Sequence, residues 1–179
     1  PYRGENDVSA GSTIGHECVG VVEEVGSAVT HIRPGDRVVI PFNIACGRCW
    51  MCERGLQSQC ETTQVREQGS GAALLGYSRL YGSVPGGQAQ YLRVPHADYG
   101  PIKVPHTGHD EQWLFLSDVV PTAWQAVQYA DVPAGGTLAV LGLGPLPPAR
   151  LLLRLLPCEV LLRLSPQRFG QQLIDVLRL

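Results

Sequence analysis

No basic run or stripe interrupts the 179-residue chain, and only 17% of its residues are charged, for a formal net charge of −2. A protein that grips a phosphate backbone needs clustered Lys and Arg, so nucleic acid is not the expected partner. Nor does any uninterrupted apolar stretch reach the length of a membrane span. The opening Pro1-Tyr2-Arg3-Gly4-Glu5 has no apolar run behind its Arg and does not read as a secretory signal. An initiating Met is also missing, which leads us to expect a segment upstream of Pro1. We find no internal repeat. The length suits one full domain and part of another.

Cysteine is present but unevenly placed. Four of the six fall between positions 46 and 60, while Cys18 and Cys158 stand alone. A tight cluster points to a metal loop in a reducing compartment, where an even spread would suggest a disulfide framework. Cys46, Cys49, Cys52 and Cys60 follow the pattern Cys-x2-Cys-x2-Cys-x7-Cys. Four thiolates so spaced can close a tetrahedron around one zinc with bonds of about 2.3 Å, leaving no open position, so the site is structural. Gly47 and Gly55 let the backbone turn between ligands. The competing reading is two disulfides, which the short x2 spacings would strain. A nucleic-acid zinc ribbon would have basic neighbours, and here Glu53, Gln57, Gln59 and Glu61 outweigh Arg48 and Arg54.

The remaining pattern is mostly β. Val19, Val21, Val22 and Val25 read as a buried strand, and Arg37 to Ile40 as a second. Arg33-Pro34-Gly35-Asp36 between them predicts a tight turn, because Pro presets φ and Gly permits a positive one. Residues 62 to 85 read as irregular and Gln88 to Val94 as another strand. Ser117 and Asp118 suit a helix N-cap, and Pro121 a first turn, so a helix is expected from Val119 to Ala130. Gly135-Gly136 then leads into a short strand, Thr137 to Leu141, ending in Gly142-Leu143-Gly144.

Alone, His16 reads as a satisfied structural histidine as readily as a ligand. Its surroundings change that. Gly15-His16-Glu17, followed by Gly20, Gly26 and Val29, has the spacing Gly-His-Glu-x2-Gly-x5-Gly-x2-Val. This run, the cysteine loop after it, Gly35-Asp36-Arg37-Val38 and Gly87-Gln88-Ala89-Gln90-Tyr91 together resemble the zinc-dependent medium-chain alcohol dehydrogenases, over residues 1 to about 144. Leu116-Ser117-Asp118 with Pro121-Thr122 resembles the branch that includes the glutathione-independent formaldehyde dehydrogenases.

The resemblance implies a mainly β plus α/β fold. Residues 1–117 would form a GroES-like β-barrel catalytic domain lacking its N-terminal part, and residues 118–179 an incomplete Rossmann cofactor domain. It implies that His16 and Asp118 hold a catalytic zinc, with Glu17 a neighbouring carboxylate that tunes it. The plainer alternatives are a salt-bridge role for Glu17 and a helix-capping role for Asp118. The family's other catalytic ligand, a Cys, belongs before the first residue given. Cys18 follows His16 too closely to replace it and is expected to face the core. Gly142, Gly144 and Thr122 would contact NAD or NADP. The implied reaction is metal-assisted hydride transfer between a small alcohol or aldehyde and the nicotinamide. The full-length enzyme would be a cytoplasmic homo-oligomer. A sugar-alcohol or threonine dehydrogenase, and a zinc-binding module without activity, are the rival readings.

The dinucleotide fingerprint is damaged. Pro147 stands where the third Gly belongs, and Pro147-Pro148 remove backbone donors where a helix N-terminus should hold the pyrophosphate. The acidic residue that should follow about twenty positions on is absent, with Leu164 and Ser165 in its place. Residues 145–164 hold nine Leu, four Pro and three Arg, a composition closer to a frame-shifted reading of GC-rich coding sequence than to a diverged helix.

Overall fold

A computed structural model describes residues 7–131 and 133, with the backbone of 137–141 and 174–178. The chain divides into two compact units, Pro1–Asp118 and Val119–Leu179.

In the first unit, β1 (Cys18–Val21), β2 (Arg37–Ile40) and β3 (Ile102–Lys103) form an antiparallel sheet in the order β1-β2-β3. Cys18 pairs with Ile40 and Val21 with Arg37. The middle strand is buried at all four positions, as an unbroken Arg-Val-Val-Ile run flanked by partners on both edges requires. The intervening turn forms as its residues predict. Gly35 takes φ 91°, and the backbone N–H of Asp36 donates to the Arg33 carbonyl at 3.0 Å. The Asp36 carboxyl is held below its ordinary range by Lys103, whose Nζ lies 2.7 Å away, and then by the Arg33 N–H.

Two strand expectations are corrected. β1 ends at Val21, and Val21 and Val25 are exposed. Among the described strands β1 pairs only with β2, so it is an edge. Gln88 to Val94 forms no strand. Its start is bound irregularly, Gly87 N–H to Gly15 O at 2.8 Å and Gln88 N–H to Ile14 O at 2.9 Å, and no ladder continues from there. Leu92 and Val94 nevertheless pack on the main core of Cys18, Ile32, Val38, Ile40, Ile44, Ala73 and Leu75.

The end of this unit is helical. It comprises α2 (Asp110–Leu114), after the short α1 (Trp50–Glu53) of the cysteine loop, and a 3₁₀ turn over Phe115–Ser117. The second unit contains α3 (Val119–Ala130), as expected, and an antiparallel pair of β4 (Thr137–Leu141) with β5 (Ile174–Arg178). A doubly wound sheet pairs its strands in parallel, so this pair is not part of that pattern. Ser117 does not act as the expected cap: its hydroxyl donates back to the Leu114 carbonyl at 2.5 Å.

Close backbone packing seats the segment before His16. Gly76, at φ 64°, and Gly86 lie against Gly15 so tightly that a Cβ on either would strike the Gly15 backbone. Backbone cannot swing aside as a side-chain tip can. Gly86→Ala should therefore destabilise the unit by about 1–3 kcal/mol, read as a lowered midpoint in chemical unfolding. An unchanged midpoint would contradict this close approach.

Candidate metal centres

The four loop cysteines come together although each has a different setting. Cys49 immediately precedes α1, Cys52 lies inside it, Cys60 follows a 3₁₀ turn over Gln57–Gln59, and Cys46 enters from β2 through Ile44. Their sulfurs all lie within 4.8 Å of one another. Cys49 Sγ and Cys60 Sγ are 3.9 Å apart. Tetrahedral zinc with bonds of about 2.3 Å sets its sulfurs roughly 3.8 Å apart, whereas a disulfide needs about 2.04 Å. The described cysteines are all free. The donor set therefore fits a closed zinc site and not a disulfide pair.

The electrostatics show what such a cluster lacks. Burial pushes the Cys52 thiol up, and the neighbouring sulfurs of Cys49 and Cys60 push it further, to about 12. Burial also raises Cys60, but hydrogen bonds from Thr63, from the Cys46 N–H and from Cys46 outweigh it and bring Cys60 down to about 6. Cys46 is likewise raised by burial and then lowered overall, chiefly by the Thr62 hydroxyl, 3.1 Å from its sulfur. Protein donors thus favour thiolate at two positions and leave Cys52 holding its proton. A divalent cation would cancel the mutual repulsion and expel that proton.

The second cluster joins residues far apart in sequence. His16 stands two residues before β1 and Asp118 just after the 3₁₀ turn, 102 positions away. His16 Nε2 and Asp118 Oδ2 are 3.0 Å apart, and one ligand atom each from His16, Glu17 and Asp118 falls within 4.8 Å of the others. With the carboxylate ionised, Nε2 carries the hydrogen between them. Ligands on one zinc at about 2.0–2.1 Å stand roughly 3.3 Å apart, so a cation could replace that hydrogen with little movement. One imidazole and two carboxylates suit zinc, and this set carries less thiolate charge than the cysteine loop.

Two aromatic rings that the sequence reading did not single out border His16. Tyr77 lies 4.9 Å from it between ring centroids and Phe42 6.0 Å, with Tyr81 packed edge-on against Tyr77 at 5.5 Å. Tyr77 follows Gly76 and Phe42 follows β2, and no spacing rule links either to position 16. Cys18, as expected, joins the core. Burial raises its thiol against a hydrogen bond from the Gly87 backbone, so it offers no ready thiolate. Thr122 lies in the first turn of α3. Gly142 and Gly144 fall outside the described residues.

An antiparallel sheet with a four-cysteine loop and a His-Glu-Asp cluster is the pattern of a zinc-type dehydrogenase catalytic domain. The sequence matches the alcohol dehydrogenase GroES-like domain over residues 2–105, and the chain belongs to that family. The chain is 48% identical over 134 residues to the zinc-type alcohol dehydrogenase-like protein AdhB of Bacillus subtilis, covering 74% of this chain and 35% of that protein. It is 35% identical over 147 residues to the glutathione-independent formaldehyde dehydrogenase of Pseudomonas aeruginosa, covering 80% and 36%. Among solved structures it resembles the alcohol dehydrogenase TADH from Thermus sp. ATN1, with a TM-score of 0.65 and 36% identity, covering 75% and 36%. The chain thus spans about a third of the length of the curated relatives it matches.

Cys49→Ser should lower zinc content and melting temperature together, because it removes a thiolate that four-fold closure requires. Elemental analysis showing unchanged zinc in that variant would rule out the loop as a zinc site.

Proposed function

We propose that the chain is the metal-ligating portion of a zinc-dependent oxidoreductase that moves hydride between a small alcohol, or a formaldehyde-type substrate, and NAD or NADP. The observation that carries this reading is the meeting of His16, Glu17 and Asp118 across 102 positions of sequence. His16 and Asp118 would hold the catalytic metal, and Glu17 would tune it from beside them. Zinc, when bound, supplies Lewis acidity that lowers the pKa of an alcohol oxygen and polarises a carbonyl. Tyr77 and Phe42 cover parts of the His16 ring and restrict how it can turn. Cys46, Cys49, Cys52 and Cys60 would hold a second zinc whose work is structural.

Similarity to a formaldehyde dehydrogenase and to alcohol dehydrogenases supports the substrate class. In sequence, Gly142-Leu143-Gly144 after Leu141 keeps two of the three dinucleotide glycines, with Pro147 in place of the third, and those two support a dinucleotide as the hydride partner. Four free cysteines close together suit the reducing conditions of the cytoplasm. Among the described residues no helix is long and apolar enough to cross a membrane.

The protein read from the full genomic locus, assayed with a panel of short alcohols and formaldehyde, should convert at least one with NAD or NADP. No nicotinamide turnover with any of them would leave the zinc-binding module without activity as the better reading.

The metal content gives an independent check on the same chain. No cysteine sulfur belongs to the His16 cluster among the described residues, so that cluster should hold zinc far more weakly than four thiolates do. The chain should carry close to one tightly held zinc, with a second lost readily to a mild chelator. Two zincs that resist the same chelator equally would contradict the difference in donor sets.

A further inference from the structure

β2 carries a side chain that neither metal cluster uses. Arg37 opens the strand and is buried, 7% exposed. Its Nη1 donates to the carbonyls of Pro105 at 3.1 Å, Thr107 at 3.4 Å and Gly108 at 3.3 Å. Its Nη2 pairs with the carboxylate of Asp110, 73 positions away and largely exposed. A planar guanidinium can serve such a spread of acceptors at once, and a lysine ammonium cannot.

What Arg37 holds is the approach to Asp118. After Gly108 comes the start of α2, closed by a reciprocal bond pattern between His109 and Gln112. Then follow the 3₁₀ turn and Asp118. The far end of this span is fastened too, since the backbone N–H of Phe42 donates to the Ser117 carbonyl at 3.2 Å. Arg37 begins β2 and Phe42 lies just past its end, so the β2 segment grips the span from Pro105 to Ser117 at both ends. The strand also sets the other side of the cluster: Ile40 pairs with Cys18, two residues after His16.

We propose that Arg37 is a positioning residue for the His16–Glu17–Asp118 cluster: it fixes the segment that presents Asp118 to His16, without touching any ligand. The inference rests on the metal-ligating role proposed above for His16 and Asp118. Partners that hydrogen-bond a ligand directly change metal affinity typically by 10–100-fold when removed, and Arg37, one step further from the ligands, is expected at the low end of that range.

The test is cobalt titration of the whole chain, in which cobalt in the thiolate loop and cobalt on nitrogen and oxygen ligands absorb differently. Arg37→Lys keeps the charge but has one nitrogen where the guanidinium has two, so it cannot hold the carbonyls and Asp110 together. It should weaken cobalt binding at the nitrogen–oxygen site on the order of tenfold and leave the thiolate site unchanged. Asp110→Asn alters only an exposed partner and should give a smaller loss in the same direction, and it decides the matter if Arg37→Lys does not fold. A lowered melting temperature with both cobalt affinities at wild-type values would make Arg37 a stabilising residue only and overturn the proposal. A wild-type chain whose cobalt is all thiolate-bound would instead overturn the metal-ligating reading of His16 and Asp118, and this proposal with it.

Discussion

The hydrogen-bonded ladder between Cys18–Val21 and Arg37–Ile40 is the constraint from which both ligand clusters take their places. Its register sets Cys18 opposite Ile40. Going backwards from Cys18 the chain reaches Glu17 and His16 at once. Going forwards from Ile40 it reaches Phe42, bonded to Ser117, and then Ile44 and Cys46, bonded to Ala73 and beside Cys60. A slip of one residue would turn every side chain of β2 to the opposite face. With all four β2 positions buried, such a slip would put the Arg37 guanidinium out of reach of its carbonyls and an apolar side chain among them. That penalty makes the register firm, and the firm register makes the two sites possible.

The two clusters differ in what holds them in shape. The cysteine loop has little apolar packing of its own: its buried group is Ala45, Ala72 and the cysteines themselves. Alanine and thiol bury too little area to fix a fifteen-residue loop against its conformational entropy. Its geometry comes from backbone ties to the 71–73 strip, such as Ala72 N–H to Ser58 O at 2.9 Å, and would be completed by metal. The His16 cluster has the opposite balance. Its neighbour Cys18 is part of the main core, aromatic rings border His16, and Gly76 and Gly86 pack on Gly15 just before it. A framework of that kind can keep its ligands facing one another while offering an open position, which is what chemistry on a bound substrate requires.

The cysteine site was legible in sequence because its ligands are local. Fifteen residues of spacing contain nearly all the geometric information. The Arg33–Asp36 turn, β2 and α3 were legible for the same reason, each being decided by neighbours within one turn or one strand. His16 and Asp118 were not legible from the residues alone, since 102 positions separate them and only a family resemblance joined them. Phe42 and Tyr77 escaped altogether, because an aromatic beside a glycine or a strand end carries no periodic signal. The expected strand at Gln88–Val94 failed for a related reason. Leu92 and Val94, two positions apart, do pack on the core, but a strand also needs a neighbour offering a row of backbone partners.

Ser117 shows how a local rule can give way to a tertiary one. Its residue type suits a helix N-cap, as does that of Asp118, which stands directly before α3. The Ser117 hydroxyl bonds back to Leu114, its carbonyl accepts from Phe42, and the residue is 1% exposed. The first bond closes the 3₁₀ turn on itself and the second ties it to the chain just after β2, and neither opens the helix. A capping geometry would direct the hydroxyl forward along α3 and remove the bond that closes the turn. The cap is worth about 1 kcal/mol, and the part-buried bond to Leu114 is worth about the same, so the backbone tie from Phe42 to the buried Ser117 decides the balance. The turn therefore prevails at Ser117, and the residue after it, Asp118, is delivered to His16.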